Sequence, residues 1–486
     1  MDIARPWKGG SKPAAGGVRK GATGAARRRI GTGGGDGRPA EPATPRGLER
    51  PIARTERDVL QRAKHQPDFA ILIAVVALAA IGILMVYSSS AIRAYIAHDD
   101  TLAIVGPQIL WGALGLLVMV AAMRIDYRVL RLVSLPGYVA ALVLLVLVFV
   151  PDFNRVVGGS ARWLVIGPLP AIHPAEVAKL ALVIYLAHWL ANRGALVRSL
   201  RTGTIPFLML ALPMIGLVFL EPDLGTTFVV ALVAFGVFFV AGASLWQFGA
   251  LLGMGGVGVL LVGLRGYQSD RIKTFLDPWA DPLGAGFHTI QGLLALGLGG
   301  IFGSGLGESK LAGGLYLPNA WNDFIFAIIG EEFGFVGAAI VIGLFLVLGY
   351  AGIRTARRAP DTFGALLAAG ITMWLCLQAF INIGVVVALL PVTGITLPFV
   401  SAGGTSLVVS FAAVGILLSI SRETIERGEL PADAGLPSPP RARPAAVAQP
   451  KLRRSDAPAD RGRGNGRPHL PGPRSGGSGP ATRRRR

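Results

Sequence analysis

The chain has 486 residues, 52% of them hydrophobic and only 15% charged, where soluble domains carry roughly a quarter charged. That balance, with a mean hydropathy of +0.56, excludes a single soluble globule. The net charge of +19 suggests nucleic acid only until it is divided: residues 1–66 and residues 422–486 each carry 15 Lys/Arg and 6 Asp/Glu, while residues 67–421 hold 17 and 16. The basic excess belongs to the tails, and no nucleic acid is expected as a partner.

Residues 1–66 are rich in Gly, Ala, Pro and Arg with no apolar period. Such a composition cannot offset the entropy of ordering, so a disordered basic cytoplasmic tail is expected. No signal-like stretch precedes Phe69, which makes the first span an uncleaved anchor. Apolar blocks able to cross a hydrocarbon core about 30 Å thick follow at 69–90, 103–123, 133–150, 174–191, 204–220, 225–243, 246–264, 323–350, 363–390 and 399–420. The expected fold is an all-α polytopic membrane protein of ten transmembrane helices, filling 67–421, with a second disordered basic tail at 422–486.

An even number of spans puts both termini on one side. The Arg triplets 124/128/131, 193/198/201 and 354/357/358 follow spans 2, 4 and 8, and the positive-inside rule makes that side cytoplasmic. The outer side then carries loop 151–173 and a large structured extracytoplasmic loop, 265–322, between spans 7 and 8. The glycine-dense stretch 287–307 within it reads as a short helix that lies in the outer interface or re-enters the protein. The lone cysteine, Cys376, sits in an apolar block and reads as a packed thiol.

Ionisable groups within spans are costly and mark candidate sites. Glu176 and Lys179 sit three apart at the outer start of span 4, on one helix face; they lock that helix as an ion pair or contact substrate. Glu331 and Glu332 lie two turns into span 8, after Asp323, and pair with neighbouring helices or line a polar cavity. Glu221 and Asp223 mark the end of span 5 or contribute to a site. Asp281, in DPWADPLGAG, is flanked by Pro282, Gly284 and Gly286, a pattern that suits either an ordinary turn or a loop holding one carboxylate at the membrane surface. His173, His188 and His288 are scattered without zinc-ligand spacing, and the Gly-rich segments lack the Lys-Ser/Thr of a P-loop.

The run RIKTFLDPWADPLGAGFHTIQ, GLGGIFGSGLGESK and YLPNAWNDFIFAIIGEEFGFVG between Arg271 and Glu332 and just beyond, with GGSARWLVIGPLPAIHPAEVAKLAL at 158–182, EPDLGTT at 221–227 and LLPVTGITLPFVSAGGTS at 389–406, resembles the SEDS family of cell-shape, division and sporulation proteins (FtsW, RodA, SpoVE). The likeness spans residues 69–421 in the family's order. It implies a peptidoglycan glycosyltransferase of the bacterial cytoplasmic membrane that polymerises lipid II at the outer face, working with a class B penicillin-binding transpeptidase and other divisome or elongasome membrane proteins. It also implies that Asp281 is the essential acid and that Glu176 and Lys179 are an important pair. Pro278-Trp279, GLGESK and IIGEE resemble the division branch, and PLGAGFH the elongation branch; the division branch is favoured. Two departures are Trp321 where the family usually has His, and Ala402 where it usually has Tyr.

In that chemistry a sugar hydroxyl attacks an anomeric carbon and a lipid diphosphate leaves. A carboxylate base contributes about 10²- to 10⁴-fold, and Asp281 takes that role. Cations at Arg155, Arg162, Lys179, Arg271 and Lys273, or a divalent cation such as Mg²⁺ or Mn²⁺, would meet the departing charge. A lipid flippase, which needs groups accessible from both sides in turn, and a non-catalytic division scaffold, in which Asp281 is dispensable, are the competing readings.

Overall fold

The computed structural model describes residues 66–157, 160–165, 167, 170–263, 267–318 and 320–424; both basic tails otherwise lie outside the described residues. The helices are α1 (Phe69–His98), α2 (Val105–Arg124), α3 (Leu130–Leu147), α4 (Pro174–Ala191), α5 (Ile205–Leu220), α6 (Leu224–Val240), α7 (Leu245–Gly263), α8 (Tyr267–Leu276), α9 (Phe287–Gly299), α10 (Lys310–Gly313), α11 (Ile325–Arg358), α12 (Thr362–Val386) and α13 (Gly404–Ser421). Among the described residues, eight helical stretches are long and apolar enough to cross a membrane, those of α1–α5 and α11–α13. The chain is a multi-pass membrane protein. Helices α6 and α7 cover predicted spans 6 and 7, and α6, with 17 residues, is apolar but shorter.

The fold departs from all-α at one place among the described residues, inside loop 151–173. There β1 (Asn154–Val157) pairs antiparallel with β2 (Ser160–Leu164), Asn154 opposite Leu164 and Arg155 opposite Trp163. The β-branched Val156 and Val157 favour the extended backbone, a signal too short to register against membrane-length blocks. Span limits also differ. Helix α1 continues to His98 rather than stopping near residue 90, because Ser89 and Ser90 return their hydroxyls to the carbonyls of Met85 (2.7 Å) and Val86 (2.6 Å), so polar side chains do not end the helix. Helix α11 runs through Arg354, Arg357 and Arg358 instead of ending before them.

The loops predicted to share a side do meet. At one end Arg354 pairs with Asp68, ahead of α1, while Arg128 contacts Asp361 (3.6 Å) and Glu423 (2.6 Å) and Arg131 contacts Asp361 (2.5 Å). At the other end Arg162 of β2 reaches the carbonyls of Glu221 (3.3 Å) and Pro222 (2.5 Å). There too Arg271 of α8 donates to the Val392 carbonyl (3.2 Å) in the α12–α13 connection. Helices α12 and α13 are the most enclosed of the eight spans, and Trp374 of α12 is fully buried.

Helix α9 packs alongside the first half of α11 in the same direction: Gly292 meets Phe324, and further on Gly303 meets Glu332. The chain reaches its turn at a break in α11, where Gly334 takes φ 66°. Amides that the break frees are taken by the turn, Phe335 donating to Gly300 and Val336 to Ile301, while Ser304 and Gly305 donate to the carbonyls of Glu331 and Glu332. Irregular backbone at membrane depth survives only when its polar groups are satisfied in this way. A Cβ on Gly334 would stand 2.4 Å from the Gly303 nitrogen, and a left-handed residue costs about 1–3 kcal/mol without glycine. Gly334→Ala is therefore expected to lower the thermal unfolding midpoint in detergent by at least that much stability; an unchanged midpoint would contradict the packing described.

Candidate active site

Asp281 stands between the turn Pro278–Ala280 and α9. Its carboxylate accepts the amides of Gly284 (3.0 Å) and Ala285 (2.9 Å), closing the loop upon itself. That closure explains the glycines of DPLGAG. A Cβ on Gly284 would lie 2.2 Å from an Asp281 carboxylate oxygen, and one on Gly286 1.9 Å from the Pro278 carbonyl oxygen. The side chain is exposed, and a carboxylate with about four lone-pair positions that has given up two still has two to offer. Asp277 plays a purely local part, accepting the Trp279 amide at 3.1 Å.

Gly284 and Ala285, the residues Asp281 holds, form an edge of a cavity of about 410 Å³. Its polar lining comes from Arg271 and Thr274 of α8, His288 of α9 and Asp323 ahead of α11, and the far wall is the segment 390–394. Asn382 of α12 ties Asp323 to the segment just past that wall by donating to the Asp323 carbonyl (2.8 Å) and the Ile395 carbonyl (2.7 Å). Burial pushes the Asp323 carboxyl up to about 6, Asp223 adding to the effect while Arg162 and Arg271 oppose it. Glu221, outside that lining, is fully buried with neither carboxylate oxygen hydrogen-bonded among the described residues, and burial carries its carboxyl to about 8, with Asp223 adding and Arg162 opposing. Asp223 itself caps α6 through the Thr226 amide (3.0 Å) and hydroxyl (2.9 Å). His173 lies 3.9 Å from Asp223, and burial lowers its ring below the ordinary value.

Glu176 and Lys179 lie in the first turns of α4, both buried, 2.8 Å apart. Lys179 also donates to Gln378 Oε1 (2.7 Å) and sits 5.2 Å from the Trp374 ring, while Trp374 Nε1 donates to the same Gln378 oxygen (2.9 Å). Gln378 in turn donates to the Thr396 carbonyl (3.0 Å), which ties the pair to the segment bordering the cavity. Of the other predicted cations, Arg271 lines the cavity, Arg162 is engaged by the α5–α6 turn, and Lys273 is exposed on α8 outside the lining. Arg155 lies on β1, its side chain outside the described residues.

Glu331 and Glu332 prove to be structural partners. Glu331 accepts the Ser309 hydroxyl (2.5 Å) and the Lys310 amide (2.8 Å), and Glu332 accepts the Ser88 hydroxyl of α1 (2.5 Å). Sequence reasoning noted Asp323 only as part of the WNDFIF run ahead of span 8, without giving it a site role, and passed over Gln378, a polar residue inside an apolar span whose spacing from Trp374 was a usable signal. Among the described residues no group of three or more His, Cys, Asp or Glu could hold a metal ion, and both Asp281 oxygens are engaged by amides.

The comparisons with known proteins follow the same layout. The pattern of the cell cycle proteins FtsW, RodA and SpoVE matches residues 69–426. Stage V sporulation protein E of Bacillus subtilis (strain 168) is 42% identical over 361 residues, covering 74% of this chain and 98% of that protein. A Geobacter sp. (strain M18) protein named "Probable peptidoglycan glycosyltransferase FtsW" is 40% identical over 360 residues, 73% of this chain and 96% of its own length. A solved chain from a peptidoglycan synthase complex that coordinates polymerization and crosslinking aligns with TM-score 0.59 and 31% identity, over 73% of this chain and 98% of that one. With one pattern running from the first span past the last, the chain belongs to the FtsW, RodA and SpoVE family of cell cycle proteins.

Proposed function

We propose that this protein is a peptidoglycan glycosyltransferase that polymerises lipid II at the outer face of the bacterial cytoplasmic membrane, in septal wall synthesis, beside a class B penicillin-binding transpeptidase. The observation that carries the reading is the placement of Asp281: an exposed carboxylate with lone pairs to spare, clasped to Gly284 and Ala285, which line a 410 Å³ cavity. The relatives' names and the synthase-complex neighbour support the activity and the partner.

The acceptor sugar hydroxyl gives its proton to Asp281 as its oxygen bonds to the donor's anomeric carbon. The bond from that carbon to the lipid diphosphate breaks on the opposite face, and the electron pair leaves with the diphosphate. Arg271, in the cavity wall, meets that charge, with Lys273, Arg155 and Arg162 at the same end. Glu176 and Lys179 act from inside the helices, holding Gln378 and, through it, the Thr396 carbonyl that follows the 390–394 wall.

We place ten spans in the membrane domain 67–421, with α6 and α7 completing the eight, and both termini in the cytoplasm. The Arg-rich end joined by Arg354–Asp68 and Arg128–Asp361 is the cytoplasmic one. Leu283 is 88% exposed beside Asp281, so Leu283→Cys should react with a membrane-impermeant thiol reagent added outside intact spheroplasts; labelling only after permeabilisation would overturn the orientation. Purified protein supplied with lipid II should yield glycan strands, and failure to do so with its transpeptidase present would remove the assigned activity.

A further inference from the structure

Asp323 is a carboxylate lining the same cavity as Gly284 and Ala285 of the Asp281 loop, yet among the described residues no hydrogen bond reaches its side chain. Its carbonyl is anchored by Asn382, but its side chain feels only the charges of Asp223 from the α5–α6 turn, Arg162 from β2 and Arg271 from α8. His288 of α9 lines the same cavity, and the backbone of Gly394, with φ 73°, passes close to the carboxylate. The side chain is part-exposed to that space, so a ligand's hydroxyls can replace water at its open lone pairs. The volume falls within the roughly 300–1,000 Å³ of small-molecule sites, and Phe275 and Phe324 give it apolar faces beside the polar groups.

We propose that Asp323 is a positioning residue for the acceptor sugar, accepting hydrogen bonds from its hydroxyls so that the reacting hydroxyl is presented to Asp281. The proposal rests on the glycosyltransferase reading above. A carboxylate repels a diphosphate but suits a neutral polyol, which assigns the sugar to Asp323 and the leaving group to Arg271. The raised Asp323 carboxyl fits a group that loses its acceptor capacity within a measurable pH range. On protonation it becomes a single donor, so sugar affinity falls as pH drops through about 6.

The test is the initial rate of strand synthesis against lipid II concentration, across the pH range in which carboxyls and histidines titrate, for the wild type, Asp323→Asn and Asp323→Ala. A charge-assisted hydrogen bond of about 1.5–3 kcal/mol corresponds to an increase in KM of roughly 10- to 100-fold. Asp323→Ala should show that increase together with a fall in kcat, because the reacting hydroxyl is no longer held toward Asp281. In the wild type KM should climb as pH falls through about 6, and in Asp323→Asn that climb should disappear. Wild-type KM and wild-type pH dependence in either folded variant would overturn the proposal while leaving the glycosyltransferase reading intact. Failure of both variants to fold would assign Asp323 to structure and also overturn it. A wild type that makes no strands at any lipid II concentration would remove both.

Discussion

Replacing Asp281 by alanine should abolish strand synthesis, with a loss of about 10²- to 10⁴-fold, the usual contribution of a positioned base. The structure also gives Asp281 a purely local task, since its carboxylate receives the Gly284 and Ala285 amides, and alanine removes base and loop clasp together. Asp281→Asn keeps part of the clasp while removing the base. Its one amide oxygen can accept from Gly284 or Ala285, whose amides reach different oxygens of Asp281, its NH2 group then faces the other donor, and it takes no proton at any accessible pH. The asparagine variant is expected to be as inactive as the alanine variant while retaining partner binding and a folded state, with an unfolding midpoint lowered only modestly. Substantial activity in Asp281→Asn would reduce Asp281 to a turn residue.

Lys179→Met should be the most destabilising of the single substitutions considered. It leaves the Glu176 carboxylate buried with no cation, and the second Glu176 oxygen already has no hydrogen-bond partner. Removing one member of a buried pair costs about 3–5 kcal/mol, because the remaining charge is uncompensated. A fall in the detergent unfolding midpoint, partly recovered in the Lys179→Met/Glu176→Gln double variant, is the expected result. A single variant with unchanged stability but lost activity would instead make the pair a direct substrate contact.

The membrane class was legible because its signal is long: blocks such as 363–390 need only composition to be recognised, and α12 (Thr362–Val386) matches that span to within a few residues. The same-side pairing of loops was legible in the Arg triplets, and Arg128, Arg131 and Arg354 do meet acidic groups from other loops at one end. The Asp281 turn was foreseeable because proline and glycine state their backbone needs locally. What escaped depends on distant chain segments. Nothing near Gln378 in sequence announces Lys179, 199 residues away, nor does anything near Ser88 announce Glu332, 244 residues away. The cavity around Asp323 escaped for the same reason, since it is assembled from α8, α9 and the 390–394 segment.

The central claim is that this fold makes a bond rather than moving a lipid, and a detergent micelle separates the two because it has no second compartment. Purified protein and its transpeptidase, given lipid II in detergent, should produce long glycan strands with wild-type Asp281 and none with Asp281→Ala. Absence of strands in detergent, together with Asp281-independent passage of lipid II across the bilayer of sealed proteoliposomes, would contradict the account.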